Sequence, residues 1–100
     1  MQSVDATPFR GKRLRFAGWL KTSDVSGWSG LWMRVDGESF STAFDNMESR
    51  AVKGTTEWTR YEVVLDVSRE ARAISFGALL AGPGTVWLDD VQLGDVPMTV

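Results

Sequence analysis

The chain contains no cysteine and no histidine. Without cysteine there are no disulfides, no thiolate metal sites and no thiol nucleophile, and this absence fits either redox environment. Without histidine the usual general base at neutral pH and the commonest zinc ligand are missing, so a serine-type triad or a zinc enzyme would need an unusual design. No apolar run approaches the length of a membrane span, and the opening MQSVDATPFR lacks the apolar core of a secretory signal. The sequence therefore reads as soluble, untargeted and cytoplasmic, with no membrane partner. Charge of one sign is also lacking: the net charge of −2 is well mixed along the chain, which gives no footprint for nucleic acid.

What is present is apolar alternation. One hundred residues make a single domain near the lower end of what buries a self-sufficient core. The stretch Gly54 to Leu93, GTTEWTRYEVVLDVSREARAISFGALLAGPGTVWLDDVQL, holds apolar runs at Trp58 to Val67, Ala73 to Ala81 and Thr85 to Leu93, separated by polar or Gly/Pro breaks. Three strands and two turns is the economical reading. In the first run Tyr61, Val63, Leu65 and Val67 alternate with Arg60, Glu62, Val64 and Asp66, the period of a strand with one buried face.

Earlier in the chain, Leu14, Phe16, Gly18 and Leu20 alternate with Arg13, Arg15, Ala17, Trp19 and Lys21, which predicts a strand over 12–21. Residues 22–30, rich in Ser, Gly and Asp, predict a loop, and Leu31, Met33 and Val35 predict a second strand. Phe40 to Phe44 reads as a short strand and Glu48 to Gly54 as a connection. Ser68 to Ala73 favours a single helical turn. The expected core is Phe16, Leu31, Met33, Tyr61, Val63, Leu65, Ile74, Phe76, Leu80 and Leu88. About six strands without a substantial helix indicate an antiparallel sandwich or barrel.

The segments FRGKRLRFAGWLKT, LWMRVDG, AFDNM, GTTEWTRYEVVLDV and ISFGALLAGPGTVWLDDVQL together resemble the carbohydrate-binding-type jelly-roll domain of the galactose-binding-like class. They are most similar to bacterial modules attached to helix-turn-helix transcriptional regulators of the arabinose-regulator type. The resemblance implies an all-β, antiparallel two-sheet jelly-roll sandwich over 9–96, with an irregular lead-in over 1–8 and a tail over 97–100. Domains of that kind usually carry two or more further strands before the position of Phe9, so this chain reads as minimal or truncated at its N-terminus. A sheet edge left bare by missing strands leads to the expectation of a homodimer, unless the first ten residues fold back as an edge strand.

Two groups of residues carry the functional reading. Trp19 and Trp32 sit on the polar-patterned faces of their strands with Arg15 and Arg34, and indole faces flanked by hydrogen-bonding side chains suit a carbohydrate or small polar ligand. The same tryptophans could instead cover a sheet edge. Trp58 and Trp87 are assigned to packing, and Trp28 to an exposed loop. The second group is Asp89 and Asp90. Consecutive strand residues point to opposite faces, but Val86 and Leu88 before the pair and Val91 and Leu93 after it change parity, as one inserted residue would cause. One reading is a structural calcium site, since in similar jelly rolls a final-strand aspartate serves as an oxygen ligand. The other is a carboxylate accepting backbone hydrogen bonds. No required cofactor follows from either. Among Asp36, Asp45, Glu57, Glu62, Asp89 and Asp90 no spacing singles out a catalytic pair, so the chain is not expected to be an enzyme. A non-catalytic ligand-binding module and a structural or oligomerisation domain are the two classes that remain.

Overall fold

The computed structural model describes residues 2–96, all of them in strands, short 3-10 turns and connections, with no α-helix. The 97–100 tail and Met1 lie outside the described residues. The first element, β1 (Gln2–Asp5), is followed by a 3-10 turn over Thr7–Phe9. The lead-in is thus not irregular as expected. Gln2 to Asp5 pair antiparallel with Phe76 to Ala73, and Ser3 and Ser75 share a hydroxyl hydrogen bond of 2.9 Å. Pro8 falls in the turn, where its missing N–H costs nothing.

Everything else is arranged around β2 (Arg13–Asp36). On one edge of β2 lie β3 (Ser41–Asp45) and then β4 (Val52–Asp66); on the other lie β5 (Ala73–Ala81) and then β6 (Thr85–Val96). All four run antiparallel to it within one six-stranded sheet. The Gly/Pro break after Ala81 is therefore not a hairpin turn. β5 and β6 are successive stretches along the same edge of β2, joined at a corner where the Ser26 N–H donates to the Pro83 carbonyl at 3.1 Å.

The loop expected over 22–30 is also a correction. These residues stay in the strand, with Thr22 opposite both Thr56 and Val86, and Ser29 opposite both Val52 and Leu80. Ser, Gly and Asp are tolerated because the backbone groups are paired and the hydroxyls find carbonyls. Thr22 Oγ1 donates to the Gly54 carbonyl at 3.1 Å and Ser29 Oγ to the Leu79 carbonyl at 2.7 Å. What the polar composition marks is a bend, with Asp24 in the left-handed region at φ 54° and register shifts on the β4 edge.

The bend reverses the parity of burial along β2. Before it the buried large side chains are Leu14, Phe16 and Leu20; after it they are Leu31, Met33 and Val35. The sheet curls on itself, so in place of the two separate sheets expected the strands form one bonded, curled antiparallel sheet. Phe16 from the first half meets Phe76 on β5, across from the second half, with ring centroids 4.9 Å apart. Residues 67–72 then bridge the two ends of β2, through Val67 N–H to the Lys12 carbonyl and Arg72 N–H to the Asp36 carbonyl, each 2.8 Å.

The core comprises Leu14, Phe16, Leu20, Leu31, Met33, Val35, Met47, Val52, Val63, Val67, Ile74 and Phe76 with Ala6 and Ala71. Tyr61 and Leu65 pack against it while partly exposed, whereas Leu80 and Leu88, expected inside, are 38% and 40% exposed. Met47 enters the core from the irregular link between β3 and β4, in a left-handed conformation at φ 62°, and takes the Leu31 N–H at 3.2 Å on its sulfur. Asp45 holds that link: its carboxylate accepts from the Met47 N–H at 2.9 Å and from Arg50 Nη2 at 3.0 Å.

Burial works against the ionised form of Asp45, but the Arg50 hydrogen bond, the Met47 N–H and the Arg50 charge outweigh it, and the carboxyl lies below its ordinary value. A lowered folded-state value means a stabilising contribution that is present above about pH 4 and lost as pH falls below it. Asp45→Ala is accordingly expected to lower stability by about 1–2 kcal/mol at neutral pH. Urea unfolding of the wild type and Asp45→Asn should show a difference at pH 7 that shrinks by about pH 3.

Candidate functional site

The first half of β2, flanked by β4 and β6, presents its odd-numbered residues outward, because Leu14, Phe16 and Leu20 point into the core. Trp19 is central on this outer face, opposite Arg60 on β4 and Asp89 on β6. On either side of it the neighbouring strand carries an inserted residue. On β4, Leu20 faces Thr59 and Thr22 faces Thr56, so Lys21 alone stands against Glu57 and Trp58. On β6, Ala17 faces Gln92 and Trp19 faces Asp89, so Gly18 stands against Asp90 and Val91. A bulge of this kind turns a side chain off the alternation.

The two bulges bring together residues that regular strands would separate. Trp19, Trp58, Asp89 and Asp90 line one hollow of about 260 Å³. Asp90 adopts φ 52°, and its N–H donates to Asp89 Oδ1 at 2.8 Å, fixing the bulge and one carboxylate oxygen. Trp87, two residues before Asp89 on the same face, lies opposite Lys21, whose Nζ stands 5.7 Å from the indole centroid. Trp19, Trp58 and Trp87 are 38%, 43% and 44% exposed. Beyond Trp19, Arg60 Nη1 pairs with Glu62 Oε2 at 3.0 Å and Arg15 Nε approaches the same oxygen at 4.0 Å.

Of the residues expected to share a face, Trp19 and Arg15 do so. Trp32 and Arg34 do not join them: they follow the bend and pair with Gly77 and Ser75 of β5, on the other half of β2. Arg34 is engaged there with Asp36, at 2.8 and 3.1 Å. The alternation within each run does place both pairs on the outer side, but the bend sets them on different halves of β2, with different neighbouring strands. Trp58 and Trp87, assigned to packing, are exposed beside Trp19, and Trp28 is a half-buried strand residue opposite Ala81. The parity change around Asp89 and Asp90 was a readable signal for one bulge. The bulge at Glu57 and Trp58 had no counterpart signal, because both neighbours of Trp58 are threonine or glutamate.

Asp89 and Asp90 are two carboxylates from consecutive residues of β6. Calcium takes about six to eight oxygen ligands, and among the described residues no group of three or more acidic, histidine or cysteine side chains could hold a metal.

Over its full length the chain is 45% identical to an uncharacterised HTH-type transcriptional regulator of Bacillus subtilis (strain 168), YbfP, and spans about 34% of that protein. No protein-family model matches the chain. The similarity to a regulator agrees with the expected regulator-associated module. Among the described residues no helix is long and apolar enough to cross a membrane.

Proposed function

We propose that this chain is a non-catalytic sensing module of a cytoplasmic helix-turn-helix transcriptional regulator, with the Trp19–Trp58–Trp87 face as its ligand platform. The ligand is a carbohydrate or a similar small polar ring compound. In this reading the module is a minimal jelly roll of carbohydrate-binding type, formed by one curled sheet, and DNA is bound by another part of the regulator. The single observation that carries the proposal is the hollow in which two half-exposed indoles stand against two carboxylates, with a third indole and Lys21 beside it. Indole faces stack on the apolar faces of sugar rings, and carboxylates accept hydrogen bonds from ring hydroxyls. Three large apolar side chains left exposed on one face of a small domain are the mark of a contact surface.

The second reading, a homodimer without a small ligand, is favoured by the backbone edge of β6, which has no strand beyond it among the described residues. One set of measurements separates them. Tryptophan fluorescence should change saturably with one of a panel of pentoses, hexoses and disaccharides, and Trp19→Ala or Trp58→Ala should weaken that binding by about ten-fold or more, roughly 1.4 kcal/mol. No saturable change with any sugar, together with a light-scattering mass of two chains that Trp19→Arg reduces to one, would favour the dimer and reject the platform.

A further inference from the structure

The hollow at the two bulges carries an unbalanced charge. Its lining is two indoles, Trp19 and Trp58, and two carboxylates, Asp89 and Asp90. Among the described residues no lysine or arginine forms an ion pair with either carboxylate. The nearby basic groups are engaged elsewhere. Arg60, opposite Trp19, pairs with Glu62 at 3.0 Å, and Lys21, opposite Trp87, has its Nζ 5.7 Å from that indole's centroid. Asp89 Oδ1 accepts the Asp90 N–H at 2.8 Å, and among the described residues no other hydrogen bond reaches these four oxygens. A lining of this kind repels anions, and a neutral hydroxyl meets the carboxylates without offsetting their charge. An ammonium group offsets it and is also attracted to the indole rings. The volume of about 260 Å³ lies just under the range of whole small-molecule sites, about 300–1,000 Å³, and suits a head group rather than an extended oligosaccharide.

We infer that the hollow selects a positively charged ligand, a small compound whose ammonium group is held by Trp19, Trp58, Asp89 and Asp90 together. This inference rests on the reading of the tryptophan face as a ligand platform and narrows its ligand to one that bears an ammonium group, on a sugar ring or on a small alkyl chain. The bulge on β6 makes the arrangement possible, since consecutive carboxylates of a regular strand face opposite sides.

The test follows the indole N–H resonances of the full chain during titration with glucosamine, glucose and choline at about pH 6, where amines carry their proton. The Trp19 and Trp58 resonances should move saturably with glucosamine, while those of Trp28 and Trp32, on the other half of β2, should not. Glucosamine should bind about five-fold or more tightly than glucose. Raising the salt from about 0.01 M to about 0.15 M, which shortens the screening length from about 30 Å to about 8 Å, should weaken glucosamine binding more than glucose binding. The double variant Asp89→Asn, Asp90→Asn should reduce the preference for glucosamine by about three-fold or more. Asparagine keeps the Oδ1 acceptor at position 89 and tolerates φ 52° at position 90, and the comparison of glucosamine with glucose on the unaltered chain needs no variant. Either result with choline supports the inference: binding as tight as glucosamine assigns recognition to the ammonium group alone, and weaker binding assigns it to an amine on a sugar ring. Glucose binding as tightly as glucosamine, or a preference that survives the double variant, overturns the charged ligand and leaves the platform standing. No movement of Trp19 and Trp58 with all three compounds also overturns it, and the platform falls with it only if the wider sugar panel fails as well.

Discussion

Phe16→Ala is expected to lower the unfolding free energy by about 3–5 kcal/mol, the range for removing a fully buried aromatic ring. Phe16 is fully buried and its ring meets Phe76 at 4.9 Å with the planes tilted by 53°, a geometry that adds to simple burial. The contact also joins the first half of β2 to β5, so its loss removes packing from the inside of the curled sheet. A domain of this size has only about 5–15 kcal/mol to lose, and each kcal/mol corresponds to about 4–8 °C in melting temperature. Urea unfolding monitored by far-UV circular dichroism measures the effect. Val64→Ala, at an exposed position on β4, is the control and should change stability by less than about 0.5 kcal/mol. A Phe16→Ala loss below about 1 kcal/mol would mean that the halves do not pack as described.

The second large effect is expected at Gly27, in the bend of β2. A Cβ placed on Gly27 would stand 2.0 Å from the Ala81 carbonyl oxygen and 2.9 Å from its carbon. Both are backbone atoms, so no rotamer change relieves the clash, and the corner between β5 and β6 must move away from β2. That movement strains the Ser26 N–H to Pro83 hydrogen bond at the same corner. Gly27→Ala should therefore cost about 3 kcal/mol, the upper end for overpacking, or more. Gly94→Ala is the matched control, since nothing lies within 4 Å of its added Cβ, and should be close to neutral. Equal midpoints for the two variants in urea would show that the bend and the corner do not touch.

The strands with strict alternation were legible because one face is buried along their whole length. Leu14, Phe16 and Leu20, then Leu31, Met33 and Val35, then Val63 and Val67 all lie inward as their spacing demands. The bend was not legible, because Ser, Gly and Asp between two alternating runs signal a loop equally well, and only pairing partners distant in sequence keep the segment in the strand. That single ambiguity propagated to the site. A loop over 22–30 leaves the relative placement of the runs before and after it open, so nothing in the alternation separates Trp32 and Arg34 from Trp19. Leu80 and Leu88 share the alternation of core residues but are exposed, because β5 and β6 are not paired with each other and no strand covers the seam between them among the described residues. Trp58 and Trp87 show the converse: apolar neighbours in sequence do not imply burial when a bulge or an edge position turns the side chain outward.

The position of β2 as shared partner of β3, β4, β5 and β6 also governs how the chain reaches this fold in time. Arg13 is paired with both Asp66 and Val96, so the strand made early waits for partners made last. Such non-local pairing places folding in the millisecond-to-second range rather than among fast folders. During synthesis, at about 5–20 residues per second, several seconds separate the emergence of Asp36 from that of Val96. Throughout that interval the β2 segment lacks at least the β6 partner that pairs one of its edges in the folded chain. The Ser23, Asp24, Ser26 and Gly27 segment then has a second consequence besides the bend: it interrupts what would otherwise be a long continuous apolar-patterned strand with polar, weakly strand-forming residues. Polar, weakly strand-forming residues in the middle of a long apolar-patterned segment are the composition that disfavours edge-to-edge association before partner strands are in place.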